Sequence, residues 1–160
     1  MKFSLLKIEQ ISGDKSSFYT VQLEDGTILF DRFINENSGL HEKEIRDILQ
    51  RIRAMAHHTS AQEHFFKLYE GKLGDGVCAL YDEPDAKLRL YCIRYGSAIV
   101  IIGGGGPKEK SIREFQQNKK LTNKNYLLRE ISQTITYKMK SGDIRFSDDE
   151  LEFEGNLDFI

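Results

Sequence analysis

The chain carries 160 residues, with 23 Lys and Arg, 25 Asp and Glu, 39% hydrophobic residues and a formal net charge of −2. That length and balance fit one domain with a substantial core. No apolar run approaches the ~20 residues that cross a bilayer, and the start Met1-Lys2-Phe3-Ser4-Leu5-Leu6 is too short for a signal peptide, so no membrane partner and a cytoplasmic location are expected.

In chain order, residues 3–10, 17–23 and 27–34 alternate apolar and polar side chains and predict strands. Gly13-Asp14 marks one turn. Asp25-Gly26 marks another and is a hairpin signal. Residues 41–56 then switch to helical period, with Ile45, Ile48, Leu49, Ile52, Met55 and Ala56 on one stripe. Ser60 and Glu63 have capping-box spacing and predict a second helix over 60–70, ended by Gly71.

A three-strand antiparallel meander follows, over 77–82, 88–95 and 98–102. Its turns set Cys78 opposite Cys92. Two small buried hydrophobes are the preferred reading of that pair, with a disulfide the alternative. The same pairing puts Leu80, Leu88, Leu90, Cys92 and Ile101 on one face. Val77, Ala79, Tyr81, Arg89, Tyr91, Ile93 and Ile102 fall on the other.

Four glycines come next. Lys108 is followed by Glu109 rather than Ser or Thr, so no phosphate loop is formed. Lys108 also occupies the place of the third glycine of a dinucleotide fingerprint, and both motifs need a parallel strand–helix–strand unit. No cofactor is expected. The glycines instead predict a sharp bend and a close approach to a neighbouring helix. No Cys/His spacing resembles a metal site. Pro107 predicts the first turn of a short helix through Ile112 and Phe115. A longer helix is predicted over 124–140, with Leu127, Leu128, Ile131, Ile135 and Met139 as its stripe, closed by Gly142.

Residues 143–160 lack clear periodicity and read as edge strands or as an acidic extension that folds on a partner. The expected organisation is therefore one α+β domain over 1–142 and an acidic C-terminal extension over 143–160. The expected fold is an antiparallel sheet, the meander, with amphipathic helices packed on one face.

Charge is segregated along the chain. Residues 87–140 hold twelve Lys and Arg against three Asp and Glu, between a first segment and a last segment that are both net acidic. A basic block of this kind suits a polyanion, although a solvated helix face would carry the same residues. Arg89, Tyr91 and Arg94 project from the middle strand, Lys108 and Lys110 follow the glycines, and Lys119 and Lys120 follow those. Cations beside tyrosines on an open sheet would hold phosphates and stack bases of RNA.

The order of two amphipathic helices, Phe66-Lys67-Leu68-Tyr69-Glu70-Gly71-Lys72-Leu73, Gly76-Val77-Cys78-Ala79-Leu80-Tyr81, Leu88-Arg89-Leu90-Tyr91, Ile99-Val100-Ile101-Ile102 and a glycine–lysine corner resembles the RelE/ParE/HigB toxin superfamily over residues 27–118. The resemblance implies a toxin of a toxin–antitoxin system that cuts messenger RNA on the ribosome or binds RNA, with a helix-turn-helix antitoxin as partner. By position it implies that Arg89 and Lys108 neutralise the phosphorane formed when a 2′-hydroxyl attacks the adjacent phosphate. The alternatives are a non-catalytic binding module on the same fold and a protein–protein interaction domain.

Overall fold

The computed structural model describes residues 1–83, 85–108 and 114–160, with the backbone alone for 114–118. Strands β1 (Phe3–Lys7) and β2 (Ser17–Leu23) pair antiparallel as their alternation predicts. The Asp25-Gly26 turn also forms, with Gly26 at φ +91° and the Leu23 amide donating to the Thr27 carbonyl at 2.8 Å.

The expected third strand over 27–34 does not form. After one bridge between Gln22 and Ile28 the chain enters helix α1 (Leu29–Asn37). Leu29, Phe30, Phe33 and Asn37 fall on its buried stripe, which is helical spacing. The hydroxyl of Thr20 on β2 receives the amide of Phe30 at 3.2 Å and itself donates to the Ile102 carbonyl at 2.9 Å. A neighbouring strand thus supplies the acceptor that the helix start lacks.

Helix α2 (Glu42–Ala54) lies within the predicted span and continues into a wider turn over Met55–Thr59. The helix expected over 60–70 is absent. Ser60 takes φ +64° and ψ 173°, a backbone that ends the helical path, and no side-chain cap bond forms. A single tight turn (Glu63–Phe65) leads to strand β3 (Phe66–Lys67), which pairs with strand β4 (Val77–Leu80). Burial of Phe66 at the sheet edge outweighs the local capping signal. Gly71 ends no helix. A Cβ there would lie 2.4 Å from the Asp75 carboxylate, which receives the amides of Lys72 at 2.7 Å and Val77 at 2.9 Å.

Strands β4, β5 (Leu88–Tyr95) and β6 (Ile99–Pro107) form the predicted antiparallel meander, with Cys78 opposite Cys92. Ile93 lies opposite Ile101 and Cys92 opposite Ile102, so the faces expected for Ile101 and Ile102 are exchanged. The glycines do not bend the chain away. They extend β6 to Pro107, with one register shift between Leu90 and Cys92. Their second predicted role is present: a Cβ on Gly103 would meet the Leu128 side chain at 2.8 Å, and one on Gly105 would meet the Arg89 carbonyl oxygen at 1.9 Å. Pro107 therefore ends a strand rather than opening a helix, and the Ile112 part of the expected short helix lies outside the described residues.

Helix α3 spans Glu114–Lys140, well ahead of the expected start at 124. Strands β7 (Ile144–Phe146) and β8 (Phe153–Gly155) form a hairpin. Strand β9 (Asp158–Phe159) then pairs with β1. The main sheet has seven strands in the order β3-β4-β5-β6-β2-β1-β9, antiparallel except for β2 beside β6.

The fold is α+β, with a mostly antiparallel sheet and helices packed against it. α1 and α2 cover one face over Phe18, Leu80, Leu90, Cys92 and Ile102. α3 covers the other through Leu121, Leu128, Ile131 and Ile135, over Ala79, Tyr91, Ile93 and Ile101. Phe159 stacks on Phe3 at 4.5 Å, and Phe153 sits edge-on to Tyr19 and Tyr95 at 5.1 and 5.3 Å. Residues 143–160 are thus core of the same domain rather than an appendage, because three of their apolar side chains, Ile144, Phe153 and Phe159, are buried in it.

Candidate functional site

The edge formed by β3, β4, β5 and the end of β6 gathers charges that are far apart in sequence. Asp82, just past β4, has a side chain only 4% exposed. Lys67 Nζ lies 2.8 Å from its Oδ1, Arg89 Nη2 lies 3.7 Å from its Oδ2, and Lys108 Nζ also contacts Oδ2. Glu70 Oε1 stands 3.9 Å from Arg89 Nη1. Three cations thus surround one buried carboxylate.

Burial pushes the Asp82 carboxyl up, but Lys108, Lys67 and Arg89 outweigh it and hold it below the usual carboxylate range. Burial pushes the Tyr91 phenol up, with Arg89 beside it pulling the other way. Hydrogen bonding is incomplete at both Arg89 and Asp82, whose carboxylate oxygens meet the cations as ion pairs without a well-aligned hydrogen bond. Both carboxylate contacts of Arg89 are longer than a hydrogen bond, and its Nε is buried with no partner among the described residues. On the α2 side of Asp82 lies a cleft lined by Glu44, Asp47, Glu83 and Asp85 with Arg51 among them, an acidic surround that disfavours an anion on that side.

The residues expected to bind RNA separate into groups. Arg89 and Lys108 meet at Asp82. Tyr91 does not project from an open face: it is 6% exposed within the core beneath α3 and offers no ring for stacking. The exposed tyrosine at the cluster is Tyr81, 44% exposed, whose ring centroid lies 5.9 Å from Lys67 Nζ. Arg94 is held in place, donating from Nε and Nη2 to the Ala61 carbonyl at 3.0 and 2.9 Å above the Phe66 ring. Lys119 and Lys120 are exposed on α3 and do not contact Asp82. Lys110 lies outside the described residues.

Asp82, Lys67 and Glu70 were not legible as site residues. Asp82 sits in Tyr81-Asp82-Glu83-Pro84-Asp85, which has turn composition, and Lys67 lay in an expected helix. The one usable signal was Tyr81, which the strand alternation already put on the face of Arg89. No helix of the described residues is long and apolar enough to cross a membrane. Comparison with known protein families, curated proteins and solved structures returns no match.

Proposed function

We propose that the chain is a RelE/ParE/HigB-like, toxin-type protein that binds RNA, holding backbone phosphate on Lys67, Arg89 and Lys108. The observation that carries this reading is the convergence of Arg89 and Lys108 on one carboxylate. The resemblance singled out these two residues by position alone. Arg89 keeps donors to spare, and a phosphate oxygen would supply the hydrogen bonds that Asp82 and Glu70 stand too far away to make. Asp82 then acts as the counter-ion that keeps three cations together when RNA is absent.

The reading commits to the binding half of the resemblance. A general base for cleavage by a 2′-hydroxyl works best when it titrates near neutrality. Asp82 is held low and Tyr91 is pushed high. The ribosome and a helix-turn-helix antitoxin remain the partners that the resemblance implies. Expression in a bacterial host, with RNA co-purified and sequenced, tests the reading. The expected result is growth inhibition that Arg89→Ala relieves, with RNA recovered uncut. Recovered RNA with new ends at a preferred site would favour the nuclease. No inhibition and no RNA would remove both.

A further inference from the structure

A groove of about 600 Å³ lies between the 69–76 loop and the outer side of α3. Its apolar surface is Leu73, Tyr126 and Tyr137, which are 94, 57 and 70% exposed. These two tyrosines have no part in the core, because α3 packs on the sheet through Leu121, Leu128, Ile131 and Ile135, with Leu127 and Met139 at the margin. They lie on a second stripe of the helix, separated by about three turns and ~16 Å at ~1.5 Å per residue.

Charge accompanies the rings. Lys72, Arg129 and Lys140 line the groove, with Asp75 and Glu130 against them. Both oxygens of Asp75 are already engaged by loop amides. The Arg129 guanidinium lies 4.9 Å from the Tyr126 ring centroid.

One residue, Glu70, links the Asp82 cluster to Arg129 on the groove wall. The Glu70 carboxylate faces Arg89, while its carbonyl accepts hydrogen bonds from Asn125 at 2.9 Å and Arg129 at 3.0 Å.

From this link we infer that the groove is the base-stacking part of the RNA site. A single strand anchored at Lys67, Arg89 and Lys108 passes Glu70 and lays bases on Tyr126 and Tyr137, with phosphates on Lys72, Arg129 and Lys140. The inference rests on the RNA reading above. The strand is single because a duplex keeps its base faces stacked inside, whereas unpaired bases stack on aromatic rings.

Binding of a short fluorescein-labelled single-stranded RNA across a salt series tests this in four proteins. These are the wild-type chain, Arg89→Gln with Lys108→Gln, Tyr126→Leu with Tyr137→Leu, and Tyr126→Phe with Tyr137→Phe. Both tyrosines are exposed, so the fold tolerates the changes, and thermal unfolding confirms it. Leucine keeps an apolar surface that a protein partner would still grip, and phenylalanine keeps the stacking face.

The expected result is a loss of roughly tenfold or more for the leucine pair, an unchanged salt dependence, and wild-type affinity for the phenylalanine pair. A leucine pair that binds like wild type overturns the groove. If the Arg89/Lys108 pair loses binding in that same experiment, the cluster reading survives without it. Loss in the leucine pair with no effect of the Arg89/Lys108 pair supports the groove and removes the cluster. A wild-type chain that retains no RNA removes both.

Discussion

Asp82 shows how one side chain sets the character of a surface. Removing its charge leaves three cations facing each other beside the core, and breaking a largely buried pair costs on the order of 3 kcal/mol. Asp82→Asn is therefore expected to destabilise the fold by about that amount at neutral pH while raising affinity for RNA, because the competing carboxylate is gone. The sign with pH follows from its depressed value. A carboxyl held low in the fold stabilises it above the unfolded value of about 3.9, and that contribution fades as pH falls through the folded value. Urea unfolding should thus show wild type and Asp82→Asn far apart near neutrality and converging below about pH 4. A constant gap would mean that the charge is not what matters.

The thiols make a second test at the same scale. Burial pushes the Cys78 thiol up to about 12 and raises Cys92 well above its ordinary value. Since thiolate is the reactive form, neither is expected to take iodoacetamide at neutral pH until the chain is unfolded. Prompt labelling of the native protein would contradict their placement.

At the scale of elements, the meander was legible because its strands are local in sequence and joined by short turns. The Cys78–Cys92 register followed from turn length alone. Failures came where a distant partner decided the outcome. Residues 27–34 carried a hairpin signal at their start and a helical stripe in Leu29, Phe30 and Phe33, and Thr20 from another strand tips the balance to helix. The Ser60–Glu63 spacing had a sound local reading, yet Phe66 is recruited to the edge of β4. The candidate site was half legible for the same reason. Arg89 and Lys108 stood out as basic residues on the meander, whereas Asp82 acquires meaning only when β3, β5 and β6 bring their cations to it.

The glycines of β6 carry a prediction of their own. A methyl on Gly105 would collide with the Arg89 backbone, whereas one on Gly104 would meet the flexible Lys124 stem at 3.3 Å. Gly105→Ala should cost about 1–3 kcal/mol and Gly104→Ala clearly less. Equal thermal shifts would show that the β5–β6 contact is looser than described.

At the scale of the whole molecule, the acidic segment 143–160 closes the sheet at the edge opposite the Asp82 cluster. Phe153 donates its amide to the Tyr19 hydroxyl at 3.0 Å, and Phe159 is buried against Phe3. Deleting residues 143–160 should abolish cooperative unfolding, since it removes a sheet strand and large buried side chains. A truncated chain with a wild-type melting curve would show the segment to be dispensable.

The salt dependence of single-stranded RNA affinity tests the central claim, phosphate binding at Lys67, Arg89 and Lys108, most directly. Each phosphate neutralised on a single strand contributes roughly 0.7 to the slope of log K against log salt. Arg89 and Lys108 converge on one position and so hold one phosphate, and replacing both with Gln should therefore make the slope shallower by about 0.7 and weaken binding at low salt. A slope unchanged by both replacements, or a wild-type chain that does not bind RNA at low salt, would contradict it.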